Sequence, residues 1–532
     1  MTNADELVKK KEIVKLLLAR GIMVNKDVMD KINNLDNYDQ FLTDFEKNLY
    51  QLHLSEIDLV NSHKLSKSAS ESDNKSNSSS NTNNSSSSTN VTKSSSEKPA
   101  YDKTPLVSEG MVKIISSYNN PPKKREVKDF VSYFSERYKT LRKILLNRKE
   151  LMGATSINKL KLKQERDKVA IIGLITDKKE TKNGNIIFEL EDLTGRFKVL
   201  ISKNKSEQLI AAKDCVLDEC VGVEGNLGNN IIFANSLIFP DIPIYKEVKK
   251  SPEESYAIFI GDLHFGSKYF LHEAFDKFLN WMRVEHGSEN QREIARKVKY
   301  LFIVGDVVEG VGIYPGQDND LEITDIYEQY SEFSRQIAKI PKHIKIIIIP
   351  GNHDAMRIAE PQPPIYQDYA EALYELENAV IVSSPSIVNI DSTPDFVGFN
   401  VLMYHGFSFI YYADAIERIR SLGGQERVDL IMEFLLKRRH LAPTHKSTLY
   451  LPDVDKDYLV IESVPDFFIS GHIHRVSASN YRGVTMLNCS CWLATTDYQE
   501  KLGLKPQPGR VTIVNLQTRK AKILKFSGDE HL

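Results

Sequence analysis

The chain has 532 residues, 41% of them hydrophobic and 27% charged, with 70 Lys/Arg against 72 Asp/Glu. At roughly 100–200 residues per domain this excludes a single compact domain, and no run of about 18 apolar residues is present to span a bilayer. Four cysteines, Cys215, Cys220, Cys489 and Cys491, are too few for a disulfide framework and lack paired Cys-x-x-Cys knuckles, so they read as reduced core thiols. A net charge of -2 neither demands nor excludes a nucleic-acid partner, because such binding follows local charge.

The first residues, Met1 to Glu6, are polar and acidic without the basic-then-apolar order of a secretory signal, which predicts a cytosolic address and no membrane partner. In residues 1–62, Ile13, Val14, Leu16, Leu17 and Leu18 mark one helix ending at Gly21, and Val28, Met29 and Ile32 a second. This is a small helical module, either a recruitment unit or a dispensable extension. Residues 63–108 form the linker: from Ser66 to Ser96, 15 Ser and 6 Asn occupy 21 of 31 positions, too polar a text to offset the entropy of ordering.

Residues 109–165 read as a basic helical segment. Val127, Phe130, Phe134, Tyr138, Leu141 and Leu145 recur at steps of three and four, and residues 121–168 carry 15 Lys/Arg against 6 Asp/Glu. The excess suits a phosphate-facing surface or a solvated helix face equally. Residues 166–247 turn to β-rich text, with strands at 169–175, 186–190, 197–201, 220–225 and 231–234 and turns at Asn183-Gly184 and Gly228-Asn229. Five strands with an intervening helix fit an OB barrel, a fold suited to single-stranded nucleic acid or to protein docking.

From 248 to 532 the text alternates buried strands with helices, a layered α/β domain. Its strands at 257–260, 301–304, 344–349, 401–404 and 467–470 run into Gly261-Asp262-Leu263-His264, Gly305-Asp306, Pro350-Gly351-Asn352-His353-Asp354, His405-Gly406 and Gly471-His472-Ile473-His474. Five of the 13 histidines fall there, at strand carboxyl ends, where open α/β sheets place their sites. Mixed imidazole and carboxylate donors suit Mn²⁺, Fe²⁺ or Zn²⁺ better than Ca²⁺ or Mg²⁺. Arg357 and His445 lie near these motifs but read equally as loop residues, and Trp492 and Cys489 read as core.

This ordered series resembles the calcineurin-like metallophosphoesterase superfamily. Within it, Val311-Gly312-Ile313-Tyr314-Pro315-Gly316-Gln317 and Val464-Pro465-Asp466-Phe467-Phe468-Ile469-Ser470-Gly471-His472-Ile473-His474-Arg475 resemble the small subunits of archaeal family-D replicative DNA polymerases, which join an OB domain to a 3′→5′ exonuclease domain. The resemblance covers roughly residues 125–525. It implies one metal on Asp262, His264, Asp306 and His474, and a second on Asp306, Asn352, His405 and His472, Mn²⁺ being the first choice of ion. It implies His353 as the group that serves the leaving oxygen, with Asp354 orienting its ring. It also implies DNA with single-stranded or frayed 3′ ends as substrate, a large catalytic polymerase subunit as partner and a nucleoid-associated cytoplasmic location. It says little about residues 1–62, whose place on a flexible tether suggests contacts with replication factors. A free-standing phosphoesterase and a non-catalytic scaffold are the alternatives. Against a phosphoprotein phosphatase stands Gly305-Asp306-Val307-Val308-Glu309-Gly310, which lacks the arginine of Gly-Asp-x-Val-Asp-Arg-Gly.

Overall fold

Two groups of parallel strands, each buried on both faces, set the architecture. The computed structural model describes residues 102–501 and 503–528, apart from the side chains of 497 and 498, so the helical module and most of the Ser/Asn-rich linker lie outside the described residues. No helix among the described residues is long and apolar enough to cross a membrane.

Strand β1 (Val112–Ser117) stands where the sequence reads as helical, and it pairs antiparallel with a strand far along the chain. Five strands then close into a barrel: β2 (Lys168–Glu180), β3 (Ile186–Asp192), β4 (Gly195–Ile201), β5 (Cys220–Gly228) and β6 (Ile231–Ile238), in the order β2-β3-β4-β6-β5. Their alternating side chains, among them Ile171, Phe188, Val199, Val221 and Ile232, fill its interior.

The remaining strands build two six-stranded sheets. One has the order β10-β9-β8-β7-β16-β17, with β7 (Tyr256–Ile260), β8 (Val298–Val304), β9 (Lys345–Ile349) and β10 (Ala379–Ile381) parallel. The other has the order β1-β11-β12-β13-β15-β14, with β11 (Ser386–Ile390), β12 (Phe399–Met403), β13 (Phe467–Ser470), β14 (Ser477–Tyr481) and β15 (Val484–Asn488). β16 (Arg510–Asn515) and β17 (Ala521–Lys525) complete the first sheet antiparallel to β7. Phe259, Phe302, Ile347 and Ile349 pack against Val401, Met403, Phe467 and Ile469 between the sheets. Alternate residues of the same strands, Ile258, Ile303, Ile346 and Ile348, pack instead with Phe275, Phe278 and Phe333 from the helices His272–Met282 and Ile326–Ile337. Strands covered on both faces carry uninterrupted apolar runs, which is why 344–349 holds five isoleucines and a lysine.

The helix Val127–Leu145 lies between barrel and sandwich: Tyr138, Leu141 and Leu145 meet Ile172 and Cys220 of the barrel and Val460 beyond it. Its inward stripe differs from the apolar periodicity. Val127 is exposed, whereas Tyr133 and Arg137 are buried. Arg137 Nε donates to Asp457 Oδ2 at 2.7 Å and Nη1 to the Pro443 carbonyl at 2.8 Å, while Tyr133 Oη donates to Asp457 Oδ1 at 2.7 Å. His440 Nε2 donates to Asp457 Oδ2 at 2.9 Å and its Nδ1 accepts from Ala442 N. A second clamp is Asp466, which receives Lys246 Nζ at 2.7 Å and Lys249 Nζ at 2.8 Å and so ties the segment leaving the barrel to the second sheet. The Val464-Pro465-Asp466 phrase thereby has a structural use. All four cysteines are buried and free, and Trp492 is core, as their surroundings in the sequence indicate.

The Arg137 cluster gives two expected outcomes. Asp457→Ala leaves a guanidinium buried without its partner and costs about 3–5 kcal/mol in urea denaturation. Burial first, and Arg137 next, push His440 down to about 4, below its ordinary value near 6.5. A depressed histidine stabilises the fold above the ordinary value and loses that contribution as pH falls toward 4. Stability of the wild type should therefore fall more steeply than that of His440→Gln between about pH 6.5 and 4, by up to about 1.4 kcal/mol per unit.

Candidate metal centre

Each motif begins where a parallel strand ends, and glycines make the convergence sterically allowed. Asp262, His264, Asp306, His472 and His474 all adopt positive φ, between 47° and 68°, a region sparsely used by non-glycine residues and concentrated at functional sites. A Cβ on Gly351 would collide with the carboxylate and backbone of Asp306, and one on Gly305 with the His405 ring. Gly305 also has φ +83°. These bare positions let loops from both sheets close around Asp306.

Asp306 is buried, and its Oδ2 lies 3.3 Å from His405 Nε2 and 3.8 Å from His264 Nε2. Its Oδ1 accepts from His353 N at 2.8 Å. On one side Asp262 Oδ1 is 3.5 Å from His474 Nε2, and the Nε2 atoms of His474 and His264 are 3.3 Å apart. On the other, His405 Nε2 is 3.0 Å from Asn352 Oδ1. Asp262, His264 and His474 bring ligand atoms within 4.8 Å of one another, as do Asp306, His405 and His472, and also His264, Asp306 and His353.

The donor set fits a cation. His405 Nδ1 donates to the Val304 carbonyl at 2.9 Å, so in the neutral ring Nε2 is a lone pair, facing a carboxylate oxygen and an amide oxygen that are lone pairs too. His472 Nε2 is buried without a hydrogen-bond partner among the described residues. Electrostatics agree. Burial opposes ionisation of Asp306, yet His405, His353 and His264 hold it well below the ordinary carboxylate range. Burial likewise opposes charge on His405, yet Asp306 pushes it up to about 9, while burial and His405 push His472 down to about 3. The cluster calls for positive charge at its centre.

His353 is half-buried beside this cluster, its ring edge-on to His264 at 4.6 Å between centroids. Asp354 does not orient it. Consecutive residues in this turn point apart, and the Asp354 carboxylate faces inward to accept from Gly351 N at 2.7 Å, Val307 N at 3.3 Å and Tyr330 Oη at 3.1 Å. Burial and Asp306 raise it to about 7. His353 Nδ1 instead faces the Glu309 carbonyl at 2.8 Å. Glu309 lies outside the set expected from sequence, although it stands in the segment Gly305–Gly310 that lacks the phosphatase arginine. Its place three residues after Asp306, where phosphatases carry Asp, was the available signal. Arg357 bonds the Ala359 and Pro361 carbonyls and stacks on Tyr118, and His445 packs edge-on to Phe130 and Tyr450, so both have structural partners. A groove of about 340 Å³ opens on His472 and His474, lined also by Ile410, Gln425, Arg475 and Leu504.

The two sheets and their shared site define a calcineurin-like phosphoesterase domain, and the profile of that family matches residues 257–476, the stretch holding every motif above. Three named relatives carry the comparison further. The DNA polymerase II small subunit of Methanothermobacter thermautotrophicus is 40% identical over 76% of this chain and 80% of its own length. That of Pyrococcus furiosus is 41% identical over 76% of this chain and 64% of its own length, and that of Archaeoglobus fulgidus 39% identical over 73% and 75%. The chain belongs to the archaeal DNA polymerase II small-subunit family.

Gly351→Ala should force the Asp306 carboxylate aside while leaving the strands intact. Mn²⁺ affinity, measured by calorimetric titration of the metal-free protein, should fall about 10–100-fold.

Proposed function

We propose that this chain is the hydrolytic small subunit of a replicative DNA polymerase and removes 3′-terminal nucleotides by two-metal hydrolysis. The observation that carries the reading is the convergence on Asp306 of carboxylate, amide and imidazole lone pairs from both sheets. Asp262, His264, Asp306 and His474 would hold one ion, and Asp306, Asn352, His405 and His472 the other, so that Asp306 would serve both. The nitrogen and oxygen donors favour Mn²⁺, with Fe²⁺ or Zn²⁺ as substitutes. Two such ions supply Lewis acidity toward a phosphodiester and lower the pKa of water.

Among the described residues His353 Nε2 has no hydrogen-bond partner while Nδ1 is held, the arrangement of a group that gives a proton to the leaving oxygen. The 3′→5′ direction rests on family resemblance. The groove of about 340 Å³ beside His472 and His474 is the surface we assign to the single-stranded substrate. A frayed or mismatched end reaches such a groove at the lowest unpairing cost.

The barrel's strand order, with β4 parallel to β6 and β2 closing on β5, supports its reading as an OB fold. With few exposed aromatics beyond Phe233 it offers little for stacking bases, so we assign barrel and phosphoesterase together to docking the large subunit, which delivers the substrate. Residues 1–62 are assigned to contacts with replication factors.

The test is to co-purify the two subunits with Mn²⁺ and compare matched with mismatched primers. Mismatched ends should be shortened preferentially, Asp306→Ala should lose both metals and activity, and His353→Ala should keep its metals and lose about 10²–10⁴ in rate. Equal degradation of both primers with or without the large subunit would favour a free-standing phosphoesterase. An intact complex that binds no metal and cuts nothing would favour a scaffold.

A further inference from the structure

Glu309 touches two of the imidazoles around Asp306, His264 and His353, through two different groups. Its carboxylate Oε2 lies 2.9 Å from His264 Nδ1, and its main-chain carbonyl 2.8 Å from His353 Nδ1. A carboxylate and a carbonyl only accept, so both rings carry their proton on Nδ1 and turn Nε2 toward the site. Glu309 is itself held. Gln317, buried beside it, donates Nε2 to the Glu309 carbonyl at 3.1 Å and to Oε1 at 3.3 Å, while its Oε1 accepts from Ile313 N at 2.9 Å. Tyr314 Oη reaches Oε1 at 3.5 Å. The segment Val311–Gln317, a family-like phrase with no partner in the metal cluster, thus folds back as a support for Glu309.

We infer that Glu309 is a positioning residue with two separable duties: its side chain fixes the metal-ligand face of His264, its main chain fixes the acid His353, and Gln317 holds both in place. The inference rests on the metal reading above. It distinguishes two variants. Glu309→Ala removes the carboxylate and leaves the carbonyl, so the defect falls on metal affinity. Gln317→Ala loosens the carbonyl as well, so the defect falls on turnover even when metal is saturating.

The test uses the full chain stripped of metal, with Mn²⁺ titrated calorimetrically and hydrolysis of a 3′-labelled single strand followed against Mn²⁺ concentration. Glu309→Ala should bind Mn²⁺ about 10–100-fold more weakly, the usual cost of losing the group behind a histidine ligand, and should regain most of its turnover at saturating Mn²⁺. Glu309→Gln, which keeps an acceptor oxygen and the residue's shape, should bind with intermediate affinity and guards against a folding failure in the alanine variant. Gln317→Ala should stay on the order of 10²-fold slow at saturating Mn²⁺. Unchanged affinity in both Glu309 variants overturns the brace. Turnover in Glu309→Ala that stays as low as in His353→Ala at saturating Mn²⁺ overturns the division of duties. Wild type that binds no Mn²⁺ overturns the metal reading beneath it, and is told apart from the other two by the titration alone.

Discussion

Everything in the site is arranged around one buried carboxylate. Asp306 follows β8, at the middle of its sheet, yet its oxygens are shared with His264 from β7, His353 from β9 and His405 from the opposing sheet. A buried charge of this kind costs several kcal/mol unless it is paired, so the fold supplies partners from these three directions and bare glycines to let them approach. The sandwich between the sheets fixes the distance across which those partners act.

That requirement explains how the rest of the described chain is tied together. The barrel could turn freely about residues 239–255 were it not for the helix Val127–Leu145 wedged beside it and the Asp457 and Asp466 clamps. Arg438 adds a third tie, its Nη2 donating to the Asp214 carbonyl beside the barrel at 2.9 Å. Charged groups placed at such seams add direction to contacts that hydrophobic burial alone leaves unspecific.

Much of this was legible in the sequence because buried parallel strands spell continuous apolar runs, and each run here is followed at once by a glycine or histidine motif. The barrel strands were legible through their alternation and Asn-Gly and Gly-Asn turns. Three features were not. β1 is a short text, VKIISS, whose partner β11 lies far away in the chain, and pairing at such distance leaves no local signal. Arg137 was invisible to a search for apolar periodicity, since it enters the core as a charge. Asp354 was expected to hold its neighbour His353, but the direction of a side chain in a tight turn depends on φ and ψ that residue types do not reveal. The ring is held from Glu309 instead.

The left-handed backbone at Asp262, His264, Asp306, His472 and His474 also constrains how this lineage can drift. A position that must be both a donor atom and a positive-φ residue admits few replacements. Asn and Gly relieve the backbone but weaken or remove the donor, while valine and isoleucine fail on both counts. Decay of hydrolysis in a descendant that keeps its partner interface should therefore leave a recognisable scar, asparagine or glycine at the strand ends, rather than random substitution. The scaffold would outlive the chemistry and keep a record of it in the shape of its main chain.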